Sequence, residues 1–340
     1  MNNGQNHAAP MPTRWVHLVC SLVVVGLAMP ECSSSKHTRA PYAIVSAPRD
    51  WAEHPAIIEL EAPATLYAMS DVHGGYDRMV TLLVANRLLA SLPSAPDAAQ
   101  WNAGRAVLVV TGDLMDKGPA PLEAIDLLRT LEPQATAAGG RVIFTLGNHE
   151  AEFLADPEND KATKDDGVAH EIRGRGLSPL DIANGRDPRG KWLRDRPLGA
   201  RVGAWFFAHG GNTHGRSIPE LEQALRAGVQ AHDYNDAEVI GEDSILESRG
   251  WYASDSSTAS RYADAVGARH IVFGHQPDAL GPRGAIAMAY GGALFRIDCG
   301  MSPNVDDSHG KLLRIRRDGD VDVAASLDPD GSVREIWRGP

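Results

Sequence analysis

Apolar residues in this chain fall either into short unbroken runs or into stretches with helical spacing. The runs Thr65–Met69, Val107–Val110 and Val142–Leu146 are bounded by turn residues and predict three buried strands. Between these runs, apolar residues recur every three or four positions, which predicts one helix in each gap. The second helix is expected to begin near Pro119, because proline suits a first helical turn, and to be ended by Pro133 and the glycines that follow it.

The alternation of strand and helix predicts a mainly parallel sheet with right-handed crossovers, and therefore an α/β fold. Two later apolar runs, Ala204–Ala208 and His270–Phe273, predict further strands. After residue 285, short segments separated by Gly and Asp predict antiparallel hairpins, which we expect to complete a second sheet packed on the first. The proline-containing lead-in from Pro41 to Pro63 is expected to wrap the surface.

Composition and charge exclude some classes of protein. With 340 residues, 43% of them hydrophobic and 23% charged, the chain can form one large or two small globular domains. The formal net charge of -11 argues against a protein that binds the nucleic-acid backbone, which would normally present a basic face. Of the three cysteines, only Cys299 lies beyond the N-terminal leader, so no thiol pair is available for a structural zinc.

The first 40 residues have the pattern of an export signal. Arg14 precedes the apolar run Trp15–Met29, which is too short for a comfortable membrane span and has the proportions of a secretory signal. Cys32, directly before a run of serines, resembles the acylated cysteine of bacterial lipoproteins; an ordinary cleaved signal or an uncleaved anchor is the alternative. We therefore predict an exported protein, periplasmic or membrane-anchored as a lipoprotein, with residues 1–40 as leader and tether.

A polar cluster follows each of the three early strands: Ser70–Gly75, Thr111–Pro119 and Gly147–Glu150. One such cluster could be an ordinary turn, because turns use Asp and Gly for backbone reasons. The carboxyl ends of parallel strands, however, lie on one edge of a sheet, so three clusters in succession predict a shared site. The side chains expected to converge there are those of Asp71, His73, Asp113, Asn148 and His149.

Two later strands each end in a histidine, His209 and His275. A single histidine in such a position is more often a packing or capping residue than a ligand, because metal sites need several donors together. Both histidines occupy the same kind of position as the earlier clusters, so the joint pattern assigns them to the same site. Oxygen and imidazole donors together suit Mn, Fe or Zn better than Mg or Ca.

The stretch from about residue 151 to 198 is charged and lacks clear periodicity. Charge runs are usually solvated, which favours a helical insert exposed to water. Its place directly after the third polar cluster also allows it to cover the site as a lid. Both arrangements remain open at the level of sequence.

Five motifs occur in order along the chain: Asp71-x-His73-Gly74, Gly112-Asp113-x-x-Asp116-Lys117-Gly118, Gly147-Asn148-His149-Glu150, His209-Gly210-Gly211 and Gly274-His275. Together they resemble the signature of the calcineurin-like metallophosphoesterases, and most closely the phosphoprotein phosphatase branch with the bacterial Shewanella-like phosphatases. The resemblance spans about residues 65–300 and implies a four-layer α/β/β/α sandwich with two packed sheets. It also implies that residues 41–340 form the catalytic domain, interrupted by the insert at about 151–198.

The resemblance implies roles for these residues. Six would hold two divalent metals: Asp71 and His73 the first, Asn148, His209 and His275 the second, and Asp113 both. A water bound by both metals would attack phosphorus directly, without a phosphoenzyme intermediate. His149 would protonate the leaving oxygen, and Asp116 would orient its imidazole and keep it protonated. Manganese is the favoured metal, with iron, zinc or nickel as alternatives, because such ligands accept all of them.

Two positions depart from the family's pattern. Lys117 stands where the family usually has a phosphate-binding arginine, so a bidentate contact becomes a point charge. A lysine also occurs there in relatives resembling diadenosine tetraphosphatase, but those tend to replace the second aspartate, which is present here as Asp116. Arg249 is the candidate for the second phosphate-binding arginine, although Ala253 occupies the expected place.

Pro277 stands where phosphodiesterase and nuclease relatives carry a further histidine, which favours phosphomonoester chemistry. We therefore expect a metal-dependent phosphatase acting on phosphorylated proteins or peptides. The alternative is a hydrolase of dinucleoside polyphosphates or of another small phosphorylated metabolite. A non-catalytic, metal-binding relic is disfavoured because every metal and acid position is filled. No nucleic-acid partner is expected, and membrane contact is expected only through the leader or a lipid anchor.

Overall fold

Two six-stranded sheets organise the fold. The structure, a computed structural model, describes residues 48–305 and 308–340, and within these residues no helix has both the length and the apolar character needed to cross a membrane. The strands are β1 (Ile57–Leu60), β2 (Thr65–Met69), β3 (Val107–Thr111), β4 (Arg141–Thr145), β5 (Gly199–Val202), β6 (Trp205–Ala208), β7 (His270–Phe273), β8 (Ala287–Ala289), β9 (Leu294–Arg296), β10 (Leu312–Asp318), β11 (Val321–Leu327) and β12 (Val333–Gly339). The α-helices are α1 (Tyr76–Ala85), α2 (Pro121–Ala137), α3 (Asn148–Ala155), α4 (Val168–Gly174), α5 (Pro179–Ala183), α6 (Pro188–Arg194), α7 (Ile218–His232), α8 (Ala237–Ile240) and α9 (Ser256–Ala265). The predicted leader at residues 1–40, with Cys32, lies outside the described residues.

The first sheet has the strand order β12-β11-β10-β2-β3-β4. β2, β3 and β4 pair in parallel, as their alternation with α1 and α2 predicts, and the three early apolar runs match these strands to within one residue. β10 pairs antiparallel with β2, with Leu313 opposite Ala68, and β11 and β12 continue as an antiparallel meander.

The prediction that all the hairpins after residue 285 belong to the second sheet is wrong. β8 and β9 join the second sheet, but β10, β11 and β12 extend the first. The alternating pattern of a hairpin specifies how its strands pair with each other, not which sheet they join. Here the backbone N–H and C=O groups on the free edge of β2 form hydrogen bonds with β10, which adds it to the first sheet.

The second sheet has the strand order β1-β5-β6-β7-β9-β8. Its centre is parallel, because β6, β7 and β9 run in the same direction, and β8 closes one edge as the antiparallel partner of β9. β1 closes the other edge and pairs in parallel with β5, with Ile57 opposite Gly199. The lead-in is therefore not a surface wrap throughout, because Ile57 is buried in the core.

Successive side chains of the central strands point alternately toward the other sheet and toward the helices. In β3, Val107 and Val109 share an inter-sheet core with Val272, whereas Leu108 and Val110 belong to the core shared with the helices. Burying an apolar side chain of this size contributes about 1.5–3 kcal/mol. α2 contacts the first sheet, and α7 and α9 contact the second. The predicted four-layer α/β/β/α sandwich is confirmed.

Pro133 lies inside α2 and does not end it, contrary to the sequence prediction. The helix begins at Pro121 and continues to Ala137. A proline within a helix removes one backbone hydrogen bond and costs about 3 kcal/mol. Pro133 is exposed, so water can reach the carbonyl that loses its partner, while the buried Leu131 and Ala135 hold the opposite face of the helix in the core.

The insert contains the three short helices α4, α5 and α6, so its predicted helical character is confirmed. Its arginines form ion pairs with carboxylates, three of which lie on α2. The pairs include Arg173–Glu158, Arg175–Glu123, Arg189–Asp126 and Arg196–Glu132. Arg175, Arg189 and Arg196 therefore attach the insert to α2, whereas Arg173 pairs with a carboxylate of the insert itself.

Candidate active site

The loops that follow β2, β3, β4, β6 and β7 meet at one place. His73 N–H donates to the Asp113 carbonyl at 2.8 Å, and Gly274 N–H donates to the His209 carbonyl at 2.8 Å, so backbone hydrogen bonds tie the loops together. The structure brings together the seven residues that the sequence assigns to one site, and all seven are buried: Asp71, His73, Asp113, Asn148, His149, His209 and His275.

Asp113 lies at the centre of this cluster. Its Oδ2 is 3.5 Å from Nε2 of His73, and its Oδ1 is 3.3 Å from Nε2 of His209. Two groups of potential metal ligands share this carboxylate, one with His73 and His149 and the other with His209 and His275, and within each group the ligand atoms lie within 4.8 Å of one another. The geometry therefore fits two neighbouring cations with Asp113 between them.

Backbone carbonyls orient two of the imidazoles. His73 Nδ1 lies 2.8 Å from the Met115 carbonyl oxygen, and His209 Nδ1 lies 2.8 Å from that of Thr111. A carbonyl can only accept, so each Nδ1 carries a proton and each Nε2 is the atom directed at the cluster. Histidines that bind metals are typically held in this way, with the second nitrogen donating to a carbonyl or carboxylate.

Asn148 and Asp71 complete the set of oxygen donors. Asn148 Oδ1 lies 3.1 Å from His209 Nε2, so both atoms face the same space. Asp71 Oδ2 accepts hydrogen bonds from Ser70 Oγ and from the His275 amide, which leaves its Oδ1 3.9 Å from His73 Nε2. By interatomic distance, His149 rather than Asp71 belongs to the group with His73 and Asp113. Both side chains are therefore candidates for the third ligand of the first metal.

The buried carboxylates of the cluster stabilise positive charge next to them. Burial lowers the pKa of His209, but the carboxylates of Asp113 and Asp71 outweigh burial and raise it to about 10. Burial and the neighbouring His209 lower the pKa of His275 to about 2, so this imidazole is neutral and keeps a lone pair for a ligand. A divalent cation would take the place of the His209 proton and neutralise the two carboxylates. The donor set therefore fits the predicted metal pair.

Six of the predicted site residues have positive φ angles, between 44° and 65°: Asp71, His73, Asp113, Asp116, Lys117 and His275. Residues other than glycine rarely adopt this region, at a cost of about 1–3 kcal/mol each, and such strain tends to cluster at functional sites. Gly118 lets the loop after β3 approach the loop after β2 closely, because a Cβ atom at Gly118 would lie 1.9 Å from the His73 carbonyl oxygen.

Asp116 and His149 form a buried pair at the side of the cluster. Asp116 Oδ2 lies 2.6 Å from His149 Nδ1, while His149 Nε2 faces the cluster, 3.9 Å from Oδ2 of Asp113. The carboxylate accepts a hydrogen bond from Nδ1–H and so sets the orientation of the imidazole. This is the contact that the sequence predicts, and the role of His149 as an acid stays a prediction.

A cavity of about 180 Å³ opens beside this pair. Lys117 and Arg249, the predicted phosphate-binding residues, both line it. Lys117 Nζ lies 3.1 Å from Nε2 of His73, and Arg249 donates from Nη1 to the His275 carbonyl at 3.4 Å. The cavity thus places cationic side chains next to the metal donors, which suits an anionic substrate.

Glu150 has a structural role at the site that sequence reasoning did not assign. Its carboxylate accepts four backbone N–H groups at 2.8–3.1 Å, those of Asp113, Leu114, Met115 and Gly147. Glu150 therefore joins the loop after β3 to the start of α3. The signal was present, because Glu150 belongs to the third motif and occupies the third position of the helix that this motif begins.

Lys161 and Lys164, from the insert, also line the cavity. Lys161 Nζ lies 2.7 Å from Glu152 Oε1 and 3.7 Å from Oε1 of Glu247, a residue that in turn contacts Asn148. The insert therefore reaches the site, as the lid alternative requires, even though its arginines pair elsewhere. Nothing in the sequence distinguishes these two lysines from the other charges of the insert.

Comparisons with known proteins agree with the motifs. The family model of the calcineurin-like phosphoesterases matches residues 64–279. Shewanella-like protein phosphatase 2 of Arabidopsis thaliana is 24% identical over 353 residues, which cover 86% of this chain and 87% of that protein. A symmetrical bis(5'-nucleosyl)-tetraphosphatase of Methylococcus capsulatus is 27% identical over 217 residues, which cover 59% of this chain and 67% of that protein.

One curated match is much shorter. An uncharacterized protein of Schizosaccharomyces pombe is 37% identical over 92 residues, and this chain spans only 26% of its length. Among solved structures, a cold-active protein-tyrosine phosphatase from a psychrophilic Shewanella species has a TM-score of 0.67 at 22% identity, with 82% of each chain covered. These matches confirm the fold and the resemblance to Shewanella-like phosphatases. The chain belongs to the calcineurin-like phosphoesterase family, and it is an enzyme of that class.

Proposed function

We propose that the protein is a metal-dependent phosphatase that hydrolyses phosphomonoesters on proteins or peptides. The observation that carries this proposal is the buried Asp116–His149 pair beside Asp113, the carboxylate shared by two groups of metal donors. An acid next to a pair of cations can protonate a leaving oxygen while the cations neutralise the phosphate. A phosphoprotein substrate is supported by the match to the Arabidopsis thaliana protein phosphatase, which extends over 86% of this chain, against 59% for the tetraphosphatase.

Members of the family use two metal ions, and the donor set of this chain fits such a pair. We propose manganese as the favoured metal, because mixed imidazole and oxygen donors suit it. When bound, the ions would supply an activated water and neutralise charge on the phosphate. The residues proposed to hold them are Asp71, His73 and Asp113 for the first ion, and Asn148, His209, His275 and Asp113 for the second.

The remaining side chains act on the substrate. His149 gives a proton from Nε2 to the leaving oxygen. Asp116 accepts a hydrogen bond of 2.6 Å from Nδ1–H of the same ring and so keeps Nε2 directed at the site. Lys117 binds a phosphate oxygen as a point charge, and Arg249 can offer two donors in a fixed plane. Both lie on the wall of the cavity, within reach of the same anion.

A panel of substrates tests the proposal. We expect kcat/KM in the presence of Mn²⁺ to be higher for a phosphotyrosine or phosphoserine peptide than for diadenosine tetraphosphate. Metal analysis of the same preparation should find two ions per chain, and an Asp113→Asn variant serves as the control with an impaired metal site. A preference for the dinucleotide would overturn the phosphopeptide assignment. An inactive protein that holds two metals would instead support the relic hypothesis.

Hydrolysis of dinucleoside polyphosphates is the second candidate. Lys164 favours it, because with Lys117 and Arg249 it places three cationic side chains around one cavity; Lys161 also lines the cavity but already pairs with Glu152. Asp116 argues against it, because relatives resembling diadenosine tetraphosphatase tend to replace this residue. The same panel separates the two candidates.

We also propose that the protein is exported, on the basis of the predicted signal at residues 15–29 and of Cys32, which lie outside the described residues. The N-terminal residue of the protein recovered from its native host tests this proposal. A chain that begins at an acylated Cys32 would establish a lipoprotein, and one that retains residues 15–29 in a soluble fraction would contradict export.

A further inference from the structure

The insert contacts the acid pair directly. The backbone N–H of Val168, the first residue of α4, donates to Oδ1 of Asp116 at 2.7 Å. The other carboxylate oxygen of Asp116 faces His149 Nδ1 at 2.6 Å. Val168, Asp116 and His149 are all buried, so no bulk water competes for these hydrogen bonds. One carboxylate thus links the insert to the imidazole, with one oxygen for each.

Local packing determines where this amide lies. Ala169 N–H donates to the Ala162 carbonyl at 2.9 Å, which closes a turn just before α4. Gly167, the residue before Val168, has ordinary backbone angles, with φ -86° and ψ 152°. A Cβ atom at Gly167 would nevertheless lie 2.3 Å from the Ala162 carbonyl oxygen, so the turn can be this tight only with glycine.

The far end of α4 is attached to α2. Glu171 Oε2 accepts the N–H of Leu122 at 3.2 Å, and Arg175 forms ion pairs with both Glu123 and Glu171. α2 begins shortly after the loop that carries Asp116. Contacts at both ends of α4 therefore fix the position of the Val168 amide relative to the loop that carries Asp116.

We propose that the insert is a positioning element of the active site, in which the Val168 amide fixes the Asp116 carboxylate and thereby the His149 imidazole. This inference rests on the proposed roles of Asp116 and His149. Burying a carboxylate oxygen without a hydrogen-bond donor costs free energy. Loss of the amide would therefore favour rotation of the Asp116 side chain toward another donor. Rotation would take Oδ2 away from Nδ1 and release the imidazole.

Val168→Pro tests the inference, because it removes the N–H at a position whose backbone suits proline, and the accompanying loss of the buried valine side chain can be controlled separately. Proline is favoured at the first position of a helix, and the extended conformation of Gly167 is the one that a residue before proline prefers. Val168→Ala is the matched control, because it removes side-chain volume and keeps the N–H. The assay compares turnover of phenyl phosphate, whose leaving group needs a proton, with 4-nitrophenyl phosphate, whose leaving group does not.

We expect Val168→Pro to lose about tenfold or more turnover on phenyl phosphate relative to 4-nitrophenyl phosphate, with its metal content retained. Val168→Ala should lower both rates by the same factor. Equal behaviour of the two variants would overturn the inference. If Val168→Pro fails to fold, Gly167→Ala replaces it, because its Cβ would clash with the Ala162 carbonyl in the turn that places the same amide, while every donor is kept.

A second measurement separates positioning from general damage. In an Asp116→Ala background, Val168→Pro should have no further effect on the ratio of the two rates, because its target is gone; an equal loss in both backgrounds would refute the inference. The Asp116→Ala variant alone tests the proposed function. If it does not selectively lose phenyl phosphate turnover, the acid pair itself is misassigned, whereas a selective loss combined with an inert Val168→Pro overturns only the inference about the insert.

Discussion

Glu247 accepts a hydrogen bond of 2.8 Å from Nδ2 of Asn148. This contact decides which end of the amide faces the cluster, because it turns Asn148 Oδ1 toward Nε2 of His209, 3.1 Å away. An amide oxygen can bind a cation and an amide NH₂ group cannot. Glu247 therefore acts on the metal site from outside the set of proposed ligands, through the orientation of one of them.

Replacement of Glu247 by alanine should weaken binding of one metal by about 10–100-fold, because loss of a residue that orients a ligand typically has an effect of this size. The measurement is the manganese content of each variant across a titration with free Mn²⁺. Glu242→Ala, at a nearby exposed position, is the control and should bind both ions as the wild type does. Wild-type affinity at both sites in Glu247→Ala would contradict the orienting role.

His149→Asn should retain two metals and lose about 10²–10⁴-fold turnover on substrates with poor leaving groups, because it removes the acid and not a ligand. Phenyl phosphate and a phosphoserine peptide are suitable poor leaving groups, with 4-nitrophenyl phosphate for comparison. Metal content must be measured in the same samples. Loss of one ion would show that His149 is a ligand, which its position near His73 and Asp113 would allow.

Lys117 should contribute to phosphate binding as a single charge. Lys117→Met should raise the inhibition constant of inorganic phosphate by about tenfold, whereas Lys117→Arg should preserve it, because arginine keeps the charge and adds a second donor. Lys117 has a φ of 57°, and neither replacement is glycine, so the backbone strain is common to all three proteins. An unchanged inhibition constant in Lys117→Met would assign phosphate binding to other side chains.

Stability should depend on pH through Glu171, which attaches α4 to α2. Burial raises the pKa of Glu171 to about 7, with Arg175 opposing and Glu123 adding to the shift. The unfolded chain releases this proton near its ordinary pKa of 4.5, so between pH 4.5 and 7 the folded protein binds more protons, and its stability falls as the pH rises.

A Glu171→Gln variant cannot ionise at this position. The difference in melting temperature, variant minus wild type, should therefore become more positive between pH 5 and pH 8, when unfolding is followed by circular dichroism. Glu242→Gln is the control and should show no such change, because Glu242 is exposed. A difference between Glu171→Gln and wild type that is the same at both pH values would exclude Glu171 as the cause.

The strands that carry the site could be predicted because each is a short, mainly apolar run with its polar residues immediately after it. In β3, for example, five buried residues lead directly to Gly112 and Asp113. The hydrogen bonds that hold the site could not be predicted in this way. Glu247 lies 99 residues from Asn148, and Val168 lies 52 residues from Asp116, so no local periodicity connects the members of either pair.

By itself the sequence determined the α/β class, the parallel run of β2, β3 and β4, and the identity of the residues that gather around Asp113, because buried strands and their turns leave local patterns of apolar and polar positions. Only the tertiary structure decided that β10 joins the edge of β2, that Glu247 orients Asn148, and that the amide of Val168 reaches Asp116. These contacts depend on how distant segments pack against one another, and the same local patterns are compatible with other ways of packing them.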